Sequence, residues 1–203
     1  MQCSKLPKTG DVKLNSDVRQ DLSDSIYDFR RLVLPVIESE QLLGGQIVSI
    51  EEATAEDGMD FVRNMDNLAG IDLVRLTPMG MSGIANRLQW VSNGMPYDSF
   101  TIRLSRTTGA MTEYEKRKKA IESGGRFLYP HITIQSYVTE PRRGGCLLSF
   151  AIALTRDIIQ LCETATVKTN PQDGNEFYIV WWRQLQNTNR RVTVHHQVTA
   201  GVK

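Results

Sequence analysis

Two stretches made almost entirely of apolar residues constrain the fold of this 203-residue chain more than any other feature. The first is CLLSFAIAL, residues 146–154, and the second is FYIVWW, residues 177–182. Neither run shows the alternation of a strand that faces water on one side, so both are predicted to be strands that the protein covers. For the first run, a buried helix is the alternative. A chain with such runs needs a layered fold.

Weaker patterns supply the other elements of that fold. Strands are predicted at residues 46–50, 71–76, 84–91, 100–105 and 131–138, and helices at about 26–37, 112–123 and 156–163. Thr112 and Glu115 have the spacing of a capping box, and Thr155 is the expected N-cap of the last helix. Uneven alternation of strands and helices predicts a single α/β (α+β) domain on one central mixed sheet flanked by helices.

The ends of the chain are predicted to lie outside this domain. Residues 1–20 are polar and aperiodic and indicate a flexible arm, 21–186 form the domain, and 187–203 form a basic tail. No segment approaches the roughly 18 consecutive apolar residues of a membrane span, and the N-terminus lacks the apolar core of a secretory signal. The protein is therefore expected to be cytoplasmic, with no membrane partner.

Several enzyme classes are excluded by the residues at hand. The histidines are His131, His195 and His196, and the last two stand in the predicted tail, where a catalytic imidazole would lack packed neighbours. The sequence has no phosphate-binding GxxxxGK[ST], no GxGxxG after a strand and no HExxH. Kinase, dinucleotide-dehydrogenase and zinc-protease functions are set aside.

Asp72 is the residue that most needs an explanation. It lies between Ile71 and Leu73 in what the pattern predicts is a buried strand. A buried carboxylate must be paired, hydrogen-bonded or bound to a metal. Its partner is thus a divalent ion, or Arg87 or Arg75 in an ion pair, or a turn that it caps.

The stretch GID, followed by the strand IANRLQW, resembles the core of the PD-(D/E)XK nuclease superfamily over roughly residues 23–91. In that core a helix bearing an acid leads into a hairpin that carries Asp and then Glu-x-Lys. The resemblance implies a restriction-endonuclease-like fold and Mg²⁺- or Mn²⁺-dependent hydrolysis of DNA, with Asp72 as a metal ligand. Arg87 and Gln89 stand where Glu and Lys are expected, and arginine cannot bind a metal. The missing acid is then expected from one of three glutamates, namely Glu38, Glu51 and Glu52.

Two functions follow. In a nuclease from a phage or mobile element, Gln89 positions the attacking water, and Arg87 or Arg103 stabilises the pentavalent phosphate. In the alternative, the chain is a non-catalytic module with a degenerate nuclease-like fold that binds nucleic acid or a protein. A homodimer is compatible with both.

A basic segment adds a separate indication of a nucleic-acid partner. Positive side chains suffice for contacts with a phosphate backbone. The candidates are Arg103, Arg106, Lys116, Arg117 and Lys119. The alternative for the KRKK run is an exposed solubilising face. Arg103 and Gln135 either line the same groove as Asp72 or form the solvent side of a half-exposed sheet.

Overall fold

The computed structural model describes residues 23–50, 70–91, 95–105, 111–124, 128–139, 145–171 and 173–196. The predicted N-terminal arm, Glu51, Glu52 and Arg106 lie outside these residues.

The central element is a mixed six-stranded sheet in the order β1-β2-β3-β5-β6-β9. Strands β3 and β5 are parallel, and every other neighbouring pair is antiparallel. This sheet confirms the predicted α/β fold class with a central mixed sheet. Its strands are β1 (Gln46–Ser49), β2 (Leu73–Thr77), β3 (Gly80–Trp90), β5 (Ile132–Val138), β6 (Leu147–Leu154) and β9 (Val192–His196).

A second, three-stranded antiparallel sheet corrects the prediction that all strands share one sheet. Its order is β4-β8-β7, so the two apolar runs, now β6 and β8, belong to different sheets. The prediction that both strands are covered holds for β6, whereas β8 is buried only at Ile179 and Val180 and half-buried at its other residues. The strands are β4 (Ser99–Arg103), β7 (Thr166–Thr169) and β8 (Glu176–Trp181).

Helical segments surround the six-stranded sheet. Residues 23–28 are helical and lead into a π-helical turn, Phe29–Val33, and then α1. Pro35 lies in the first turn of α1, where its missing N–H breaks the regular hydrogen-bond ladder. The α-helices are α1 (Leu34–Ser39), α2 (Glu113–Glu122), α3 (Thr155–Cys162) and α4 (Trp182–Asn187).

The two predicted caps have different outcomes. At α2 the capping box is confirmed, since Glu115 N donates to Thr112 Oγ1 at 3.2 Å and Thr112 N donates to Glu115 Oε2 at 2.7 Å. At α3 the prediction was wrong: Leu154 is the N-cap, and no side chain caps the helix. The Thr155 hydroxyl instead lies 2.8 Å from that of Thr133. Because Thr155 is fully buried beside β5, a tertiary hydrogen bond replaces the local one.

Two hydrophobic cores cover the two faces of the six-stranded sheet. On one face, Phe29, Val33 and Ile37 of the helical segment pack on the sheet. On the other face, Tyr137 of β5 packs with Phe100 of β4, and also with buried residues of α3 and α4. The three-stranded sheet and α2 cover this second face of the six-stranded sheet, and we call it the sheet-facing side. The first face, covered by residues 29–37, is called the helical face.

The domain extends beyond the predicted boundary at residue 187. Residues 192–196 form β9, which pairs with β6 from Ser149 to Ala153. Val192 and Val194 pack against the core, so this part of the predicted tail is structural. The apolar β6 requires a neighbour on each edge, and the alternating VTVH supplies one. Among the described residues, no helix is long and apolar enough to cross a membrane.

Candidate functional site

Asp72 is exposed, which corrects the prediction of a buried carboxylate. Its neighbours Ile71 and Leu73 are buried. The main-chain N–H of Asp72 donates to Ile84 O at 2.9 Å, and its Oδ2 accepts a hydrogen bond from the main-chain N–H of Asn86 at 2.6 Å. Asp72 thus ties the start of β2 to the backbone of β3.

Arg75 and Arg87, the arginines predicted as partners of Asp72, bind other groups. Arg75 Nε donates to Ser82 Oγ at 3.1 Å across the β2–β3 ladder. Arg87 Nη1 donates to the carbonyl of Thr101 at 2.6 Å, and its Nη2 donates to Glu113 Oε2 at 2.9 Å. The proposed ion pairs of Asp72 with Arg87 or Arg75 are therefore not formed.

The candidate metal ligands are not brought together by the part of the chain that is described. Glu38 is exposed on α1, whose residue Ile37 packs on the helical face of the sheet. Glu51 and Glu52 fall outside the described ranges. Within those ranges, no group of three or more His, Cys, Asp or Glu side chains is placed to hold a metal ion. Gln89 is half-buried on β3, opposite Tyr137 of β5.

Four charged residues meet on the sheet-facing side, and we call them the arginine cluster: Arg87, Arg103, Glu113 and Arg117. Glu113 is at their centre. Its Oε2 accepts from Arg87 at 2.9 Å and from the main-chain N–H of Arg103 at 3.1 Å, and its Oε1 lies 2.8 Å from Arg117 Nη2. One carboxylate thus joins β3, β4 and α2.

The pKa of Glu113 reflects this position. Burial alone would raise the pKa, but the charges of Arg117 and Arg87 and the hydrogen bond from Arg103 lower it below its ordinary value. For Arg117, burial lowers the pKa of the guanidinium, and the charge of Glu113 opposes that effect. Asp72 also raises the pKa of Arg117, so the exposed aspartate lies within electrostatic reach of the cluster.

Gln135 lies directly beside Arg87, because β3 and β5 pair Arg87 with Gln135. Its Oε1 accepts a hydrogen bond from the hydroxyl of Thr101 at 3.2 Å. Gln135 is 1% exposed and Arg117 is 4% exposed. Over the described residues, Gln135 Nε2 and two donors of Arg117, Nε and Nη1, have no hydrogen-bond partner. Such buried donors destabilise the fold unless a further acceptor satisfies them.

The basic residues proposed to bind nucleic acid divide into buried and accessible groups. Arg117 is buried, which corrects the expectation that the whole KRKK run faces solvent, while Lys119 is exposed and Lys116 is half-buried. Arg103 is half-buried with its guanidinium 5.5 Å from the Phe177 ring centroid, a cation–π arrangement.

Sequence reasoning missed Glu113, the residue that organises the site. The available signal was its spacing, because Glu113 precedes Arg117 by four residues in a helix and residues at that spacing share a helix face. Gln135, by contrast, is buried rather than on a solvent face.

A scan against protein-family models and searches of curated proteins and solved structures found no match for this chain.

Proposed function

We propose that this chain is a non-catalytic module that binds the phosphate backbone of nucleic acid on the surface above the arginine cluster. The observation that carries the proposal is that three arginines gather around one carboxylate, Glu113. The guanidinium groups of Arg87 and Arg103 lie 6.0 and 5.5 Å from the same Phe177 ring centroid. This convergence places three guanidinium groups around one carboxylate, and Asp72 and Asp173 lie within electrostatic reach of Arg117 and Arg103.

A phosphate group suits the donors in this region. Buried Arg117 and Gln135 carry N–H groups that no described residue accepts. Arg87 has a side chain that is 31% exposed, so the cluster reaches the surface. Arginine presents several N–H donors in a planar fork that matches phosphate oxygens, and the half-buried Arg87 and Arg103 would contact the phosphate. The N–H groups of Arg117 and Gln135 are buried and would be satisfied by enclosed water.

The arrangement around Asp72 favours binding over catalysis. Arg87, which stands where the resemblance expects a glutamate, is held by Glu113. One carboxylate oxygen of Asp72 already accepts the N–H of Asn86. A metal-dependent reaction would need a second acid that the described residues do not place beside Asp72.

A metal-dependent nuclease is the second candidate, and one observation favours it. Ser49, at the end of β1, pairs with Leu73, at the start of β2, so the chain runs into Glu51 and Glu52 directly after a strand that borders Asp72. Either glutamate would be the acid that joins Asp72 in holding Mg²⁺ or Mn²⁺.

One experiment tests both candidates. Binding of fluorescent duplex and single-stranded DNA is measured by anisotropy between 50 and 200 mM salt, and plasmid cleavage is assayed with Mg²⁺ and Mn²⁺. We expect binding that weakens steeply with salt, no cleavage, and a salt slope that is smaller by about one in Arg103→Gln, which loses one phosphate contact.

Arg30→Gln, exposed in the helical segment on the opposite face of the six-stranded sheet, is the matched control and should leave the affinity and the slope unchanged. The absence of binding to either DNA, or equal losses in both variants, contradicts the binding proposal. Cleavage that Asp72→Asn abolishes and Glu38→Gln preserves contradicts the non-catalytic assignment and supports the nuclease.

A further inference from the structure

A cleft of about 460 Å³ lies on the helical face of the six-stranded sheet, on the opposite side from the arginine cluster. It opens where α1 ends, and the following residues 41–44 form one wall. Its floor includes Ile132 of β5 and Ile152 of β6, and its lining combines the apolar Leu42 and Leu43 with polar side chains such as Gln41 and Thr193. The volume is within the usual range for small-molecule sites in proteins, roughly 300–1,000 Å³.

The described residues that line this cleft carry charge of one sign. Arg75 and Arg191 both line it, together with His131, and none of the lining residues that the structure describes is an Asp or a Glu. Glu40, which precedes the wall, has its carboxylate 3.3 Å from Nδ1 of His195 and does not line the cleft. Across the described residues, neither Arg75 nor Arg191 has a carboxylate within ion-pair distance. Within the described part of the chain, the cleft therefore holds two positive charges and no carboxylate that compensates them.

The two arginines stand at opposite ends of the cleft. Arg75 is on β2, and Arg191 directly precedes β9. Four strand spacings separate β2 from β9 in the sheet, about 19 Å between the strands. Arg75 is oriented by its hydrogen bond to Ser82 of the next strand, toward the middle of the sheet. The isoleucines of β5 and β6 lie between the arginines.

We infer that this cleft binds a linear organic dianion, with an acid group at each end and an apolar chain between them. Each acid group would accept hydrogen bonds from one guanidinium, and the chain would lie on the apolar floor. A single acid group would engage one arginine and leave the other without a partner. The inference is independent of the nucleic-acid proposal, because it concerns the other face of the sheet.

Calorimetric titration with decanedioate, decanoate and decane-1,10-diol tests the inference. These probes share an apolar chain and differ in the number of acid groups. We expect decanedioate to bind about tenfold more tightly than decanoate, since a charge-assisted hydrogen bond is added at the second arginine. The diol should bind most weakly. In Arg75→Gln or Arg191→Gln, the affinity for decanedioate should fall to that of decanoate.

Arg183→Gln is the control, because Arg183 is exposed on α4 and contacts Trp181 rather than the cleft. Circular dichroism verifies that each variant folds. Equal affinities for the one-acid and two-acid probes, no binding of decanedioate, or an equal loss in Arg183→Gln would overturn the inference. Displacement of decanedioate by duplex DNA would also overturn it, whereas independent binding of both ligands supports two separate sites.

Discussion

Glu113 compensates positive charge in the arginine cluster, and the stability of the fold depends on that compensation. Its side chain is 17% exposed and contacts Arg87 and Arg117 through different oxygens. Removing one partner of a buried ion pair leaves the other charge uncompensated, which commonly costs about 3–5 kcal/mol. We expect Glu113→Gln to reduce the free energy of unfolding at pH 7 by about 3 kcal/mol, toward the low end because the carboxylate is partly exposed.

The pH dependence follows from the lowered pKa of Glu113. The folded state holds its proton less tightly than the unfolded state, so this contribution is fully present above the unfolded pKa, near 4.5. It is lost as the pH falls through the lower folded value. Urea denaturation between pH 3 and 7 should therefore show a smaller acid loss in Glu113→Gln than in the wild type. Glu122→Gln, at the exposed end of the same helix, should keep the wild-type profile; matching profiles in both variants would contradict the role of Glu113.

Asp72 stabilises one structural element, the β2–β3 hairpin. Its carboxylate accepts the N–H of Asn86 at 2.6 Å, which supplies a hydrogen bond where the ladder of the hairpin begins. We expect Asp72→Ala to lower the free energy of unfolding by about 1 kcal/mol, a typical net value for one hydrogen bond. Asp72→Asn retains an acceptor oxygen and should lose less. Chemical denaturation with an unchanged m-value measures both effects.

Glu38→Ala is the control for Asp72, since Glu38 is also an exposed carboxylate but no hydrogen bond of its side chain is formed with the described residues. Its change should stay within about 0.5 kcal/mol, as for most surface substitutions. If Asp72→Ala is as stable as the wild type, the hairpin role is incorrect, and the metal-ligand role gains support.

The edge strand β9 affects the stability and solubility of the whole molecule. It covers β6, a strand whose residues are buried from Leu147 to Ala153 except for the half-buried Leu148. Removing residues 189–203 would leave β6 as an apolar edge, which favours pairing with other chains. We expect this truncation to aggregate or to lose cooperative unfolding. Size-exclusion chromatography and thermal melting followed by circular dichroism measure these outcomes.

Removal of residues 197–203 alone is the control, because it retains β9 intact. This shorter truncation should stay as cooperative as the full chain. If the longer truncation behaves in the same way, β9 is dispensable, and the original prediction of a tail from residue 187 describes the chain better than the strand does.

The sequence by itself determined features that depend on neighbouring residues. The apolar stretch at residues 146–154 predicted a buried element, with a strand as the first choice, and Thr112 and Glu115 three positions apart predicted the start of α2. Both signals arise within a few residues, where periodicity and local hydrogen bonds dominate. The mixed α/β class was predictable because the residue pattern of each segment indicates a helix or a strand without reference to the rest of the chain.

Only the tertiary structure decided which partners these elements take. Periodicity does not reveal that β8 joins a second sheet, or that β9 covers β6. In the same way, Asp72 accepts the backbone N–H of Asn86, and Arg87 pairs with Glu113 on α2 instead of with Asp72. The ion pair of Arg87 with Glu113 joins residues that are 26 positions apart, and their distance is set only after the layers have packed.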